Sequence, residues 1–169
     1  MTSLIRDNCD FLKQGIDLLE RHSNESYDSS DIHTFGSSIG SHMRHVLDHY
    51  SSFLSGLESG TINYDARSRG TSDDRILKSG IGRARNVLSQ LQEAAIDPDQ
   101  PVNVIVSANT LEDEGRSQST LARELKFLAS HTVHHYALIA IASRMQGILT
   151  PESFGVAPST LKYMQTADC

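Results

Sequence analysis

Histidine is the residue type that most constrains this chain, because six of its eight histidines fall into two tight clusters. Within each cluster the spacings are three, four or one residue, and spacings of three and four place side chains on one face of an α-helix. Two such clusters on separate helices predict a site built where the helices face each other. The clusters are His42, His45 and His49, followed by His131, His134 and His135.

Apolar periodicity predicts four helices in this sequence of 169 residues. The fourth is the clearest, with Gly147 as its C-terminal stop, and Gly60 is placed to stop the second. The fold class is therefore mostly all-α, a four-helix bundle in a single domain covering residues 1–169, with the bundle at about 3–147. The predicted helices are residues 3–22, about 38–57, about 73–95 and about 121–146.

Polar and β-branched segments separate these helices. Residues 23–34 and 60–74 are predicted loops, and residues 111–119 are a predicted turn. The β-branched run at residues 102–107 favours a short strand or extended segment. The tail, residues 148–169, is predicted to be irregular with about one helical turn after Pro158.

Charge and composition restrict the cellular role. The net charge is −6 and the isoelectric point is about 5.7, which argues against binding nucleic acid. No apolar run approaches the ~20 residues that span a bilayer, and the N-terminal residues lack the apolar core of a signal peptide. With only two cysteines, the composition is typical of a cytoplasmic protein that has no membrane partner.

On the fourth predicted helix, one narrow stripe holds two histidines at the centre of the apolar face. His131 and His135 are four residues apart, so their imidazoles can share one ion. Burying imidazoles without a partner is costly, whereas neutral imidazole is a good ligand for zinc, nickel or iron. The spacing thus predicts one divalent metal ion. The full stripe is Glu124, Leu128, His131, His135, Leu138 and Ala142.

The pattern alone leaves the third ligand open. One stripe of the second predicted helix holds Ile39, His42, Val46, His49 and Phe53. The third histidine of that cluster, His45, lies about 60° to one side of this stripe. The amphipathic pattern therefore favours His42 or His49 as the inward-facing ligand. The alternative for each histidine is a core residue with a hydrogen-bond partner and no metal.

Two short motifs resemble those of the DinB/YfiT-like superfamily. Ser38-Ile39 is followed by His45-Val46-Leu47-Asp48, and the last predicted helix carries His131-Thr132-Val133-His134-His135. The resemblance implies a four-helix bundle with a three-histidine metal site, and it selects His45, His131 and His135 as the ligands. The segments IGSHMRHVLDH, NYDARSRG and FGVAPSTLKY look like marks of an uncharacterised bacterial DinB-like subgroup. Because Tyr136 and Ala137 replace the common His-His-Arg-Gly-Gln continuation, no specific substrate is implied.

The resemblance also implies a metal-dependent transferase that uses a small-molecule thiol, and a homodimer. Three histidines leave a coordination position for water or substrate. The catalytic residues stay unassigned; hydrolysis, non-catalytic metal binding in stress or storage, and a purely structural bundle are the alternatives. Candidate hydrogen-bond partners and proton carriers around the metal are Asp48, Glu124, His49 and His134, and candidate substrate-binding residues are Arg44, Arg67, Arg69 and Tyr64.

Overall fold

The computed structural model describes residues 2–30, 36–66, 71–107 and 115–167, and it is mostly helical. In this part of the chain, α1 packs on α4 and α5, and α3 packs on the same two helices, so four long helices surround a common core. The helices are α1 (Ser3–Leu19), α2 (Asn24–Asp28), α3 (Ile39–Ser59), α4 (Leu77–Glu93), α5 (Leu121–Met145) and α6 (Pro158–Ala167).

Local sequence signals define most helix ends. Ser38 caps α3, because its side-chain oxygen accepts a hydrogen bond from the backbone N–H of Ser41 at 3.0 Å. Gly60 ends the same helix in the left-handed conformation, at φ +67°, where a side chain would be strained. Thr120 caps α5 in the same manner as Ser38. The predicted stop at Gly60 is confirmed, and Gly147 also has positive φ just beyond α5.

Several predicted boundaries differ from the structure. The loop predicted at 23–34 contains α2, which begins after Ser23 through a reciprocal capping box with Ser26. The third predicted helix is divided, since a 3₁₀ turn (Ser72–Asp74) precedes α4. The tail forms the ten-residue helix α6 rather than about one turn.

A small sheet lies where α3 ends and α5 begins. Its strands are β1 (Thr61–Asn63), β2 (Pro101–Ile105) and β3 (Arg116–Thr120), in the order β1-β2-β3. The first pair is parallel and the second is antiparallel. The strand expected at 102–107 is present, but β1 and β3 fall in segments predicted as loop and turn. Both are short, and β3 (RSQST) contains no apolar residue that would signal a strand.

The bundle core contains a polar chain as well as apolar side chains. The Tyr50 hydroxyl donates to Asn8 Oδ1 at 2.7 Å, and Asn8 Nδ2 donates to the carbonyl oxygen of Leu125 at 3.1 Å. The Tyr136 hydroxyl donates to the carbonyl oxygen of Phe11 at 2.9 Å. Because buried polar groups must keep their hydrogen bonds, these contacts hold α1, α3 and α5 in one relative position.

The most buried stripe of α5 is rotated from the predicted one. The predicted centre held His131 and His135, but both side chains are only half-buried. Glu124, Leu128 and Ala142 of the predicted stripe are buried, so the prediction is wrong at its centre only. The core face is rotated by about one residue, because α5 contacts α1 as well as α3. The most buried α5 residues on this face are Leu121, Leu125, Leu128, Thr132, Tyr136, Ile139 and Ser143.

A chain of charges joins α3, α4 and the 3₁₀ turn. Asp48 accepts hydrogen bonds from Arg44 at 2.9 Å and from Arg83 at 2.8 Å. Arg83 also donates to Asp73, and Arg44 lies 3.5 Å from Asp74. Asp48 and Asp73 are both buried, so their charges depend on these arginines.

None of the helices in the described ranges is long and apolar enough to cross a membrane.

Asp73→Asn is expected to destabilise the protein at neutral pH by about 1–3 kcal/mol, between the values for exposed and buried ion pairs. Burial alone would raise the pKa of the Asp73 carboxyl, but hydrogen bonds from Thr71 and Arg83 outweigh it and hold the pKa below its ordinary value. The carboxylate thus stabilises the fold above the unfolded pKa of about 3.9, and this contribution is lost as pH falls through the lower folded pKa.

Urea unfolding between acidic and neutral pH measures this effect. The variant should show a flatter dependence of unfolding free energy on pH below about 4 than the parent protein. Asp10→Asn is the matched control, because that carboxylate pairs with Lys13 on the surface with both side chains about half exposed. Equal losses in the two variants would contradict a special role for Asp73.

Candidate metal centre

Three histidine side chains from α3 and α5 converge at the seam between the two helices. One nitrogen from each of His45, His131 and His135 lies within 4.8 Å of the other two. Their ring centroids are 4.6 to 4.9 Å apart. Two nitrogens that bind the same zinc ion lie roughly 3.4 Å apart, since each zinc–nitrogen bond is about 2.0–2.1 Å. Small ring rotations are therefore sufficient for the three imidazoles to share one ion.

Helical geometry explains the convergence. His131 and His135 are one turn apart on α5, and their side of the helix is displaced from its core face toward α3. All three imidazoles are half-buried, so they are shielded by packing while keeping contact with solvent. Among the described residues, the histidine that groups with His131 and His135 is His45. The amphipathic pattern had favoured His42 or His49.

His42 contacts the site as a hydrogen-bond partner of one member of the trio. Its Nδ1 lies 3.1 Å from Nδ1 of His135, so one of the two nitrogens carries the proton that they share. When His135 Nδ1 donates, the Nε2 atom of that ring is left as the nitrogen that can bind a metal. The amphipathic pattern indicated His42 only as an alternative ligand and carried no signal for this role.

Burial favours the neutral form of the His135 and His42 imidazoles. Burial is the main reason that the pKa of His135 is lowered to about 2, and the neighbouring His131 and His45 lower it further. Burial also lowers the pKa of His42, with a smaller effect from His134. Neutral imidazole is the form that binds metal ions, so the electrostatics of the pocket suit a ligand set.

His49 is the most buried histidine of the first cluster and packs beside the trio. Its Nδ1 donates to the carbonyl oxygen of His45 at 2.9 Å, one turn earlier on α3. Its ring stacks on Tyr64 at 5.3 Å and lies 4.1 Å from the His131 ring. These contacts fix the orientation of the His49 ring beside the three proposed ligands.

Two charged residues predicted to serve the site pair with each other. Both oxygens of Asp48 accept from arginines, Arg44 and Arg83, so this carboxylate is engaged in the charge chain of the fold. Arg44 is likewise engaged, because it contacts Asp74 as well. It is therefore poorly placed to hold a substrate carboxylate. The other two predicted anchors, Arg67 and Arg69, lie outside the described residues.

The Glu124 carboxylate is buried close to the aromatic side of the site. The Tyr64 hydroxyl donates to Oε2 at 2.9 Å, and the Ser119 hydroxyl donates to Oε1 at 2.6 Å. Burial raises the pKa of the Tyr64 hydroxyl well above its usual value, and the adjacent carboxylate adds to the effect. Glu124 thus connects to the histidines through the Tyr64 ring, which stacks on His49.

Other side chains complete the surroundings. The His134 ring is exposed and lies 5.0 Å from the His135 ring. Phe127 stacks on His131 at 5.6 Å, one turn before it on α5. The i,i+4 spacing of Phe127 and His131 is visible in the sequence. The hydrogen bond from Ser119 to Glu124 depends on the position of β3, and no sequence signal indicated it.

Comparisons with known proteins give one partial similarity. No family model matches the chain, and no solved structure matches it. A curated protein named FK506-binding protein 5, from Rhizopus delemar, is 29% identical over 107 residues. The matched region covers 62% of this chain and 28% of that protein, so this chain spans little more than a quarter of the length of the curated relative.

His42→Ala is expected to weaken divalent-metal binding by about 10- to 100-fold, the range for losing a hydrogen-bond partner of a metal-bound histidine. His42→Asn should restore most of the affinity, because its side-chain oxygen can accept from His135 Nδ1. Competition with a chelating dye measures the affinities. His134→Ala is the control, since that side chain is exposed. An alanine variant at 42 that binds as well as the control would show that the hydrogen bond does not matter.

Proposed function

We propose that this chain is a DinB-like metal protein that holds one divalent ion, zinc, nickel or iron, on His45, His131 and His135. The observation that carries the proposal is the convergence of three imidazole nitrogens within 4.8 Å from two facing helices. Imidazole is a borderline-soft donor that suits these three metals. The lowered pKa of His135 and its Nδ1 contact with His42 favour the neutral ring that such a site needs.

The arrangement of the helices is consistent with the resemblance. The His45 motif lies within α3, and the His131–His135 motif lies within α5. These two helices pack directly on each other, so the two motifs meet in space as a shared site requires. Metal sites in helical bundles are built in this way, from side chains on facing helices.

We infer that the site is catalytic, with a small-molecule thiol as the substrate. The grouped donors are three imidazoles, and the nearby carboxylates Asp48 and Glu124 are held by other residues, Arg83 and Tyr64 among them. A three-ligand site keeps a position for an exogenous ligand, whereas structural zinc is usually closed by four protein ligands. A metal ion held there would supply a thiol-activating charge, since a coordinated thiol is deprotonated at neutral pH.

The protein's own residues supply the setting for this reaction. The three half-buried imidazoles lie at the seam, and the rings of His49, Phe127 and Tyr64 pack on one another to form an aromatic side wall. Arg67 and Arg69 are the cationic residues proposed to hold the carboxylates of the thiol by bidentate pairing. Non-catalytic metal binding is the competing function, and the thiol experiment below separates the two.

Metal analysis of protein purified without a histidine tag is expected to give about one divalent ion per chain after zinc or nickel addition. His45→Ala, His131→Ala and His135→Ala should each lower the affinity by more than about 100-fold, which is the upper value for loss of an outer hydrogen-bond partner. Helical circular dichroism should be retained, because the core face of α5 is the neighbouring stripe that contains Thr132 and Tyr136.

His134→Ala is the matched control, since it removes an exposed imidazole from the same helix turn. A metal content far below one equivalent in the parent protein would overturn the proposal. Unfolding of the three variants would instead assign these histidines to packing, which is the structural-bundle alternative.

Glutathione added to cobalt-substituted protein is expected to produce a sulfur-to-metal charge-transfer band, because the bound thiol becomes a thiolate. Alanine at both Arg67 and Arg69 should weaken the thiol titration without removing the metal. Alanine at Arg85, an exposed arginine that pairs with Glu20, is the control for loss of positive charge. A spectrum that does not change with thiol would reject the transferase and leave non-catalytic metal binding or hydrolysis.

A further inference from the structure

A separate cavity of about 280 Å³ lies between the sheet and the first turns of α5. Its walls are partly apolar, with Val104 from β2, Phe127 from α5 and the ring of Tyr64 among them. Two charged residues, Arg123 and Glu124, also line it. Pockets for drug-sized ligands are about 300–1,000 Å³, so this cavity suits a smaller molecule. Small-molecule sites commonly combine apolar walls with a few convergent polar groups, as here.

The Glu124 carboxylate forms an anionic floor. Its side chain is only 3% exposed, and each oxygen accepts one hydrogen bond, from Tyr64 and from Ser119. A carboxylate has about four lone-pair sites, so two are left for a further donor. The protein thus holds a buried negative charge in a fixed position at the base of the cavity.

Arg123 places a positive charge at the rim. Its side chain is 65% exposed, and one guanidinium nitrogen lies 3.5 Å from Glu124. The guanidinium carbon is 5.7 Å from the centre of the Phe127 ring, which orients the group over the apolar wall. A guanidinium has five N–H donors, so it can also bind a carboxylate from outside through a paired contact.

We propose that this cavity binds a small α-amino acid with an apolar side chain. The ligand's carboxylate pairs with Arg123, and its ammonium group donates to the free lone pairs of Glu124. The apolar side chain lies against Phe127, Val104 and the Tyr64 ring. A zwitterion matches the two protein charges, whereas a simple carboxylic acid would leave the buried negative charge of Glu124 facing a second anion.

The larger groove of the molecule holds charges that are paired at shorter distances than the 3.5 Å between Arg123 and Glu124. It measures about 550 Å³ and is lined by Asp48, Asp73 and Arg83, whose charges bind one another. The cavity beside Arg123 also stands apart from the proposed metal ligands, none of which lines it. Binding of an amino acid is therefore expected in both metal-free and zinc-loaded protein, and a failure of the metal proposal would leave it standing.

Isothermal titration with L-phenylalanine and L-leucine tests the proposal on the full chain, as purified and after chelation of metal. Both amino acids are expected to bind. N-acetyl-L-phenylalanine, which lacks the ammonium group, and L-phenylalaninamide, which lacks the carboxylate, should bind roughly 10-fold more weakly or worse, the effect of losing one charge-assisted hydrogen bond.

Protein variants give the complementary comparison. Arg123→Gln should lower the affinity for L-phenylalanine by roughly 10-fold or more, while leaving the weak binding of the amide unchanged. Glu124→Gln should also lower the affinity for L-phenylalanine, but it should leave the weak binding of N-acetyl-L-phenylalanine unchanged. Lys126→Gln is the matched control, because it removes an exposed cation from α5 outside the cavity.

Three outcomes would overturn the proposal: no binding of either amino acid at millimolar concentration, equal binding of the acetylated derivative, or an Arg123→Gln protein that binds like the control. If Glu124→Gln perturbs folding, as judged by circular dichroism, the Arg123 variant and the two ligand derivatives still decide the question.

Discussion

The position of α5 between α1 and α3 is the constraint on which the other features depend. Tyr136 and Leu125 on its core face are tied to α1 through the carbonyl oxygen of Phe11 and the side chain of Asn8. With that face fixed, the neighbouring stripe carrying His131 and His135 must turn toward α3. A different rotation of α5 would bury these histidines in the core or expose them to solvent, and neither arrangement would form a shared site.

Internal pairing decides which charged groups are available to ligands. Asp48 and Arg44 are part of the chain of charges that joins α3, α4 and the 3₁₀ turn, so they stabilise the fold. Glu124 and Arg123 are paired more loosely, at 3.5 Å, and hydroxyl groups satisfy only part of the buried carboxylate while the guanidinium is largely exposed. Proximity in sequence to the histidines was therefore a poor guide to which charges could meet a substrate.

Aromatic contacts connect the two proposed sites. Phe127 and Tyr64 line the small cavity, and the same two rings stack on His131 and His49 respectively. The β1 and β3 segments place Tyr64 and Ser119 around the carboxylate of Glu124, so the small sheet organises the aromatic side of the histidine cluster. The sheet thus contributes to site geometry although it is a minor part of the fold.

The sequence by itself determined the long helices, the stops of two of them and the two histidine clusters, because these depend on periodicity and on local residues such as Gly60 and Gly147. Only the tertiary structure decided the rest. The strands β1 and β3 depend on pairing with β2, and their short polar segments carry no strong signal. The grouping of His45 with the α5 pair depends on how two helices rotate against each other. The contact of His42 with His135 likewise joins residues 93 positions apart, which no single-helix pattern can specify.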